Sequence, residues 1–234
     1  MAKTIAKPKV VVLTGAGISA ESGISTFRDS NGLWENHDIM EVATPEGFQQ
    51  NPALVLDFYN QRRRQLFEVE PNAGHIALTD LEDKYDVVIV TQNVDDLHER
   101  AGSKRVVHLH GELRKVRSVG DSSIVYDWDK DLNLGDYCEK GHQLRPHIVW
   151  FGEAVPMYEL ALELVSFADV VVVIGTSMQV YPAAGLLYEA PQEAKVFFID
   201  PKPQVNENDF REITVLAEPA TTGVRKAVDI LLNS

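Results

Sequence analysis

A single cysteine, Cys138, stands among 234 residues. No intramolecular disulfide can form, and the start Met1-Ala-Lys-Thr-Ile-Ala-Lys7 lacks the apolar core of a secretion signal, so a reducing, cytoplasmic setting is expected. Long apolar runs are missing too. None approaches the roughly 18 to 20 residues that a helix needs to cross a bilayer, and membrane insertion is not expected. Basic residues are scarce, 22 against 35 acidic ones, for a formal net charge of −13. That balance argues against a sequence-independent grip on nucleic acid, whose affinity comes from Lys and Arg displacing counterions. A basic partner such as a lysine-rich peptide is favoured instead. The remaining composition, 44% hydrophobic and 24% charged, is that of a globular chain able to bury a sizeable core.

Short apolar runs at Val10–Leu13, Val87–Thr91, Val106–Leu109, Val170–Ile174, Val196–Ile199 and Ile213–Leu216 read as strands covered on both faces. Helical segments lie between them. Thr44-Pro45, Asn51-Pro52 and Asn72 carry start signals, the last opening Asn72–Lys84, and later helices fall at Pro156–Phe167, Pro182–Glu189 and Thr222–Leu232. The alternation predicts an α/β fold, a Rossmann-like doubly wound parallel sheet. Two stretches break it, residues 35–72, which are helical, and residues 112–146, which hold short alternating pieces (Lys115–Val119, Ile124–Trp128) and an acidic, turn-rich section. Both read as insertions forming a smaller module beside a core made of residues 1–34, 73–111 and 147–234, within one catalytic domain.

The richest stretch is Val10-Val-Val-Leu-Thr-Gly15-Ala16-Gly17-Ile-Ser19-Ala20-Glu-Ser-Gly23-Ile-Ser-Thr26-Phe27-Arg28. A β-branched run that breaks into glycines and then into helix-compatible sequence brings backbone N–H groups to a phosphate. The spacing Gly15-x-Gly17-x-x-Ala20 meets the loose dinucleotide fingerprint, yet no second strand ending in an acidic residue follows about 20 residues on. Taken alone, the loop is also compatible with a mere packing device.

Four further strand ends carry polar groups to the same crevice, which in an open parallel sheet lies outside the carboxyl ends of the strands. Thr91-Gln92-Asn93-Val94-Asp95 suits ribose hydroxyls, although Asn93 and Asp95 also suit a helix cap. Gly175-Thr176-Ser177 and Asp200 end two others. His108 and His110 alternate onto one face of their strand, and His110, at its end beside Gly111, can exchange a proton near neutral pH or serve as an ordinary structural histidine. Four convergent polar strand ends favour a nucleotide-sized ligand.

With Thr26-Phe27-Arg28, Thr91-Gln-Asn-Val-Asp95, His108-Leu-His110-Gly111, Arg145-Pro-His-Ile-Val-Trp-Phe-Gly-Glu153 and Gly175-Thr-Ser177 in this order, the chain resembles the sirtuins, NAD-dependent protein-lysine deacylases, from about Lys9 to Leu232. The resemblance implies NAD as a consumed co-substrate, with acyl transfer to its ribose and release of nicotinamide and O-acyl-ADP-ribose. It implies His110 as general base, with Asn93 and Asp95 in the catalytic set. Gly15, Ala16, Gly17, Ser19, Ala20, Thr26, Phe27, Arg28, Trp34, Gln92 and Val94 would surround the nicotinamide-ribose half. Gly175, Thr176, Ser177, Asp200, Pro201, Lys202 and Ala220 would hold the adenosine half. Val149, Phe151, Gly152 and Glu153 would offer a strand edge to an extended acyl-lysine peptide, where the bare sequence shows only a buried edge segment. Tyr59 and Arg62, three apart on one helix face, resemble the signature of sirtuins that remove succinyl and malonyl groups, since a guanidinium takes a carboxylate bidentately; Ala20 suits a roomier acyl pocket. Without that context the pair reads as a solvated basic face.

One departure stands out. Sirtuins usually carry four cysteines around a structural zinc, but here Ser118 and Asp121 stand in the place of the first pair, and Cys138 with His142 in the place of the second. Structural zinc needs about four N or S ligands, so a metal-free module packed through Tyr126, Trp128 and Tyr137 is expected, a degenerate site on Ser118, Asp121, Cys138 and His142 being the alternative. The alternative readings are a protein ADP-ribosyltransferase using the same NAD site and a non-catalytic NAD-sensing interaction protein.

Overall fold

The computed structural model describes residues 6–25, 37–176, 181 and 183–234, and the backbone of 33–34. The strands are β1 (Lys9–Thr14), β2 (Leu33–Trp34), β3 (His37–Asp38), β4 (Asp86–Thr91), β5 (Val106–His108), β6 (Gly111–Ser118), β7 (Val125–Asp127), β8 (Leu144–Ile148), β9 (Val170–Ile174), β10 (Lys195–Ile199) and β11 (Ile213–Leu216). The helices are α1 (Ile39–Val42), α2 (Pro45–Gln50), α3 (Pro52–Leu66), α4 (Ala73–Thr79), α5 (Leu97–Ala101), α6 (Tyr158–Ser166) and α7 (Ala220–Leu232).

Six strands form one parallel sheet in the order β11-β10-β9-β1-β4-β5. Their continuous apolar runs feed two cores because successive side chains point to opposite faces. Val10, Val12, Ile89, Val172, Ile174, Phe197 and Ile199 pack under α4 and α7. Val11, Leu13, Val88, Val90, Val171, Val173 and Phe198 pack under α6 and the turns Ala183–Glu189. The order reverses beside β1, which leads to β4 on one side and pairs with β9 on the other. That switch point is where a parallel sheet opens a ligand crevice, and both glycine loops lie there. Among the described residues, no strand of this sheet follows β1 where a standard dinucleotide fold would place one; α1 to α3 lie between β1 and β4.

Three helices, α2, α3 and α4, are capped as the sequence indicates. Thr44 Oγ1 accepts from Gly47 N–H at 2.9 Å, Asn51 Oδ1 from Leu54 N–H at 3.2 Å, and Asn72 Oδ1 from Gly74 N–H at 2.9 Å. The helix expected over Asn72–Lys84 is shorter: α4 stops at Thr79 and tightens into a 3₁₀ turn at Asp80–Asp83. Residues 183–189 are likewise 3₁₀ rather than α.

A separate antiparallel sheet, β7-β6-β8, is packed against α3 through Leu56, Val116, Leu132, Cys138 and Leu144, with Tyr126 and Trp128 on its margin. Tyr137 takes no part in that packing. Its side chain is exposed, and its backbone pairs with Gln143. No helix among the described residues is long and apolar enough to cross a membrane.

Candidate active site at the sheet switch point

The two glycine loops are in contact. Gly15 N–H donates to Ile174 C=O at 3.0 Å and Gly17 N–H to Gly175 C=O at 2.8 Å. A Cβ on Gly17 would lie 2.5 Å from Gly175 Cα, and one on Gly175, whose φ is +59°, would lie 2.5 Å from the Gly17 carbonyl carbon. Neither backbone can retreat without opening the junction of β1 and β9. After this junction the helix-compatible segment makes two 3₁₀ turns, Ala16–Ile18 and Ala20–Ser22, ended by Gly23 at φ +100°. Ala16 and Gly17 are half-buried and Ala20 is exposed on the rim.

Behind this loop lies a buried polar cluster. Ser19 Oγ donates to Asp95 Oδ2 at 2.9 Å and accepts from Asn93 Nδ2 at 3.2 Å. All three are nearly inaccessible. Burial holds the Asp95 carboxyl above the usual carboxylate range, opposed by hydrogen bonds from Leu97 N–H and Ser19. Asn93 N–H donates to Thr91 Oγ1 at 3.0 Å, and Gln92 Nε2 reaches Thr176 Oγ1 at 3.1 Å, joining two strand ends. Val94 takes a different part, accepting from Leu113 N–H and packing against the small module.

His110 Nδ1 lies 3.0 Å from Gln92 C=O. A carbonyl only accepts, so Nδ1 carries the proton and Nε2 is left as the basic nitrogen. Burial lowers the pKa of the ring below the ordinary histidine value, partly offset by that bond. The imidazole is therefore neutral at pH 7. His108 lies one carbonyl further on, with Nδ1 3.0 Å from Asn93 C=O. Asp200, at the end of β10, is buried and accepts from Lys202 N–H at 2.8 Å. Pro201 and Lys202 are exposed, and Ala220 is buried at the start of α7. Thr26, Phe27, Arg28 and Ser177 lie outside the described residues, as does the side chain of Trp34.

Tyr59 and Arg62 share a face of α3, as their spacing requires. The phenol is fully buried and accepts from Trp150 Nε1–H at 2.9 Å, and burial pushes its pKa well above the ordinary value. The Arg62 guanidinium lies 4.6 Å from the Phe58 ring centre and is close enough for its charge to act on Tyr59.

The expected strand edge over Val149–Glu153 is instead a turn. The N–H groups of Val149, Phe151 and Glu153 donate to His110, Ala43 and Trp150 carbonyls, and that of Trp150 to Glu153 Oε2. Glu153 is a fastener of this turn: Arg145 grips both its oxygens at 2.7 and 3.0 Å, and Arg117 adds a bond at 3.0 Å. Opposite charge therefore holds its carboxyl below the usual range despite partial burial. Only the half-exposed Phe151 side chain projects from it.

At the two knuckles of the small sheet, Cys138 Sγ donates to Ser118 Oγ at 3.4 Å, and Ser118 Oγ accepts from Gly120 and Asp121 N–H. Asp121 binds Ser123 and Lys140 instead of facing Cys138. One thiol, one imidazole and a committed carboxylate do not fit zinc. Among the described residues, no three His, Cys, Asp or Glu side chains are grouped to hold a metal ion.

Sequence patterns did not reveal several supports of the site. His75 caps α4 through Asn72 N–H and lies 3.4 Å from Ser19 Oγ; its place three residues after Asn72, that of a capping box, was the available signal. His98, fully buried, lies 3.0 Å from Thr14 Oγ1. Glu21 accepts from Thr221 N–H and Oγ1 at 3.0 and 2.8 Å, tying the glycine loop to α7.

Residues 15–182 match the model of the Sir2 family. An NAD-dependent protein deacylase of Helicobacter pylori is 64% identical over 193 residues, covering 82% of this chain and 84% of the relative. A crystal structure of a Sir2 homolog–NAD complex superposes with a TM-score of 0.85 at 36% identity, over 97% of this chain and 90% of the other. A Sir2 bound to acetylated peptide superposes with a TM-score of 0.78 at 27% identity, over 97% and 95% of the two chains. The glycine junction, the buried Ser19-Asn93-Asp95 cluster and this extent of likeness together leave one assignment: the chain belongs to the Sir2 family.

Proposed function

We propose that the chain is an NAD-dependent protein-lysine deacylase releasing nicotinamide and O-acyl-ADP-ribose, working as a single catalytic domain in the cytoplasm. The observation that carries this reading is the single basic nitrogen of His110 beside the Asn93, Ser19 and Asp95 cluster at the switch point. The glycine junction lets the ends of β1 and β9 meet, since a Cβ on Gly17 or Gly175 would collide with the opposite backbone, and the switch point where it lies is where a parallel sheet takes a ligand. Gln92, Asn93 and Asp95 would hold the nicotinamide ribose, Gly15 to Ala20 its surroundings, and Gly175, Thr176, Asp200 and Lys202 the adenosine half. Thr26, Phe27, Arg28, Trp34, Ser177, Pro201 and Ala220 complete the proposed contact set.

NAD supplies an electrophilic ribose carbon with nicotinamide as its leaving group. Asn93 donates to the ligand region from a side chain already oriented by Ser19. Neutral His110 Nε2 takes the proton of a ribose hydroxyl, which then receives the acyl group, and Nδ1 stays on Gln92 C=O throughout. Tyr59 and Arg62 extend the acyl pocket toward acidic groups, while Val149, Phe151 and Gly152 contact the peptide; Glu153 shapes their turn.

Acetyl-, succinyl- and malonyl-lysine peptides of one sequence, compared with NAD in one assay, test the acyl preference. Arg62→Met should lower desuccinylation at least tenfold more than deacetylation, roughly the value of one charge-assisted bidentate pair. Equal losses would remove Arg62 from the acyl pocket. Labelled ADP-ribose appearing on protein without acyl-peptide would mark a transferase instead.

A further inference from the structure

Asn93 is held at three points. Its N–H donates to Thr91 Oγ1 at 3.0 Å, its Nδ2 to Ser19 Oγ at 3.2 Å, and its carbonyl lies 3.0 Å from His108 Nδ1. The third point reaches outside the cluster. His108 Nε2 is 2.7 Å from Glu99 Oε1 on α5, and only 7% of the histidine side chain is exposed. Both partners of the ring are acceptors, a carbonyl and a carboxylate, so the geometry asks for a proton on each nitrogen.

We propose that His108 is a positioning residue for Asn93: as a doubly protonated ring clamped between Glu99 and the Asn93 carbonyl, it fixes the loop Gln92–Asp96, and it lets go when Nε2 loses its proton. This inference rests on the deacylase reading above. The release follows from the same distances. A ring left with one proton sets a bare lone pair against an acceptor, 2.7 Å from the Glu99 carboxylate or 3.0 Å from the Asn93 carbonyl, and turning the ring relieves the clash. Turning removes Nδ1–H from the Asn93 carbonyl, and leaves Thr91 and Ser19 as the only holds described for that residue.

The surroundings favour the charged ring. Glu99 and neutral His98 come from α5, Asp95 from the loop, and Glu112 with its ion-pair partner Lys115 from β6. A cavity of about 340 Å³ opens beside the ring, and the Arg114 and Asp96 that also line it are paired with each other. Burial opposes the charge, but the Glu99 carboxylate outweighs it and raises the histidine above its ordinary value. His110, two residues on, is shifted the other way by burial. The two histidines therefore bracket a working range: His110 must be deprotonated and His108 protonated.

The test compares wild type, Glu99→Gln and His108→Gln. In wild type, kcat/KM for NAD should rise on the acid side and fall on the alkaline side. Glu99→Gln should move the alkaline fall toward acid, giving roughly three- to tenfold lower kcat/KM at about pH 8 with the acid limb unmoved. His108→Gln should flatten the alkaline fall and lower kcat/KM for NAD about fivefold or more near neutrality, with the KM for acyl-peptide unchanged. An alkaline limb identical in all three proteins overturns the proposal. Histidine-ring NMR titration of the ligand-free protein supplies a readout independent of turnover. The His108 signal should titrate above the ordinary histidine range, with the Val94 amide following at the same midpoint; a ring that titrates at or below that range, or a Val94 amide that ignores it, also overturns the proposal. Wild type without NAD-dependent deacylation would instead refute the deacylase reading, and the NMR arm still decides the clamp.

Discussion

A histidine whose Nδ1–H is committed to a main-chain carbonyl presents one basic nitrogen in one direction, and burial keeps that nitrogen unprotonated at neutral pH. His110 meets both conditions. Because its pKa is lowered, the base form persists below the ordinary histidine value, and the acid limb of kcat/KM should lie below about pH 6.5. His110→Ala should reduce turnover by about 10²-fold or more while thermal unfolding stays within a few degrees of wild type. Asn93→Ala should act similarly, since Ser19 and Asp95 cannot replace its amide. Survival of substantial turnover in either variant, read as product by mass spectrometry, would remove that residue from the chemistry. His108 gives a linked stability effect of defined sign. Its raised folded-state pKa contributes stability below the unfolded value, and that contribution is lost as pH rises through the folded value.

Elements show why parts of the site were legible beforehand and parts were not. All six core strands were visible as apolar runs, because a strand covered on both faces needs no polar alternation. The strand ends told where Gly15, Gln92, His110, Gly175 and Asp200 would converge, since parallel strands deliver their carboxyl ends to one side. The resemblance assigns residues 149–153 to a strand edge, and nothing local in Val149-Trp-Phe-Gly-Glu153 separates an edge strand from a turn. Only the long-range pairing of Arg145 with Glu153 distinguishes them, and no local pattern encodes it. The same holds for Tyr59, whose phenol is spoken for by Trp150, 91 residues away. Two expected outcomes belong here. Gly175→Ala should destabilise the protein by about 1–3 kcal/mol and weaken NAD binding, since its Cβ would meet Gly17 backbone at positive φ. Glu153→Gln should cost about 1–3 kcal/mol by leaving Arg145 and Arg117 short of acceptors. Denaturant unfolding measures both.

For the whole molecule, the small sheet closes over α3 with side chains from Leu56 to Leu144 and a thiol-to-hydroxyl hydrogen bond at the knuckles. Packing of this kind needs no metal, so a chelator should leave the melting temperature unchanged; a fall of several degrees on chelation would show that metal supports the module. The formal charge of −13 suits a lysine-bearing partner, and rising salt should weaken peptide binding more than NAD binding. One crevice should consume NAD only when an acyl-lysine peptide is present. The most direct measurement is nicotinamide release from NAD, followed with and without an acyl-lysine peptide and set against the deacylated peptide formed. Release should require the peptide, match deacylation one for one and disappear in His110→Ala. Release that proceeds equally without peptide, or no release with acetyl-, succinyl- and malonyl-peptides alike, would contradict this coupling.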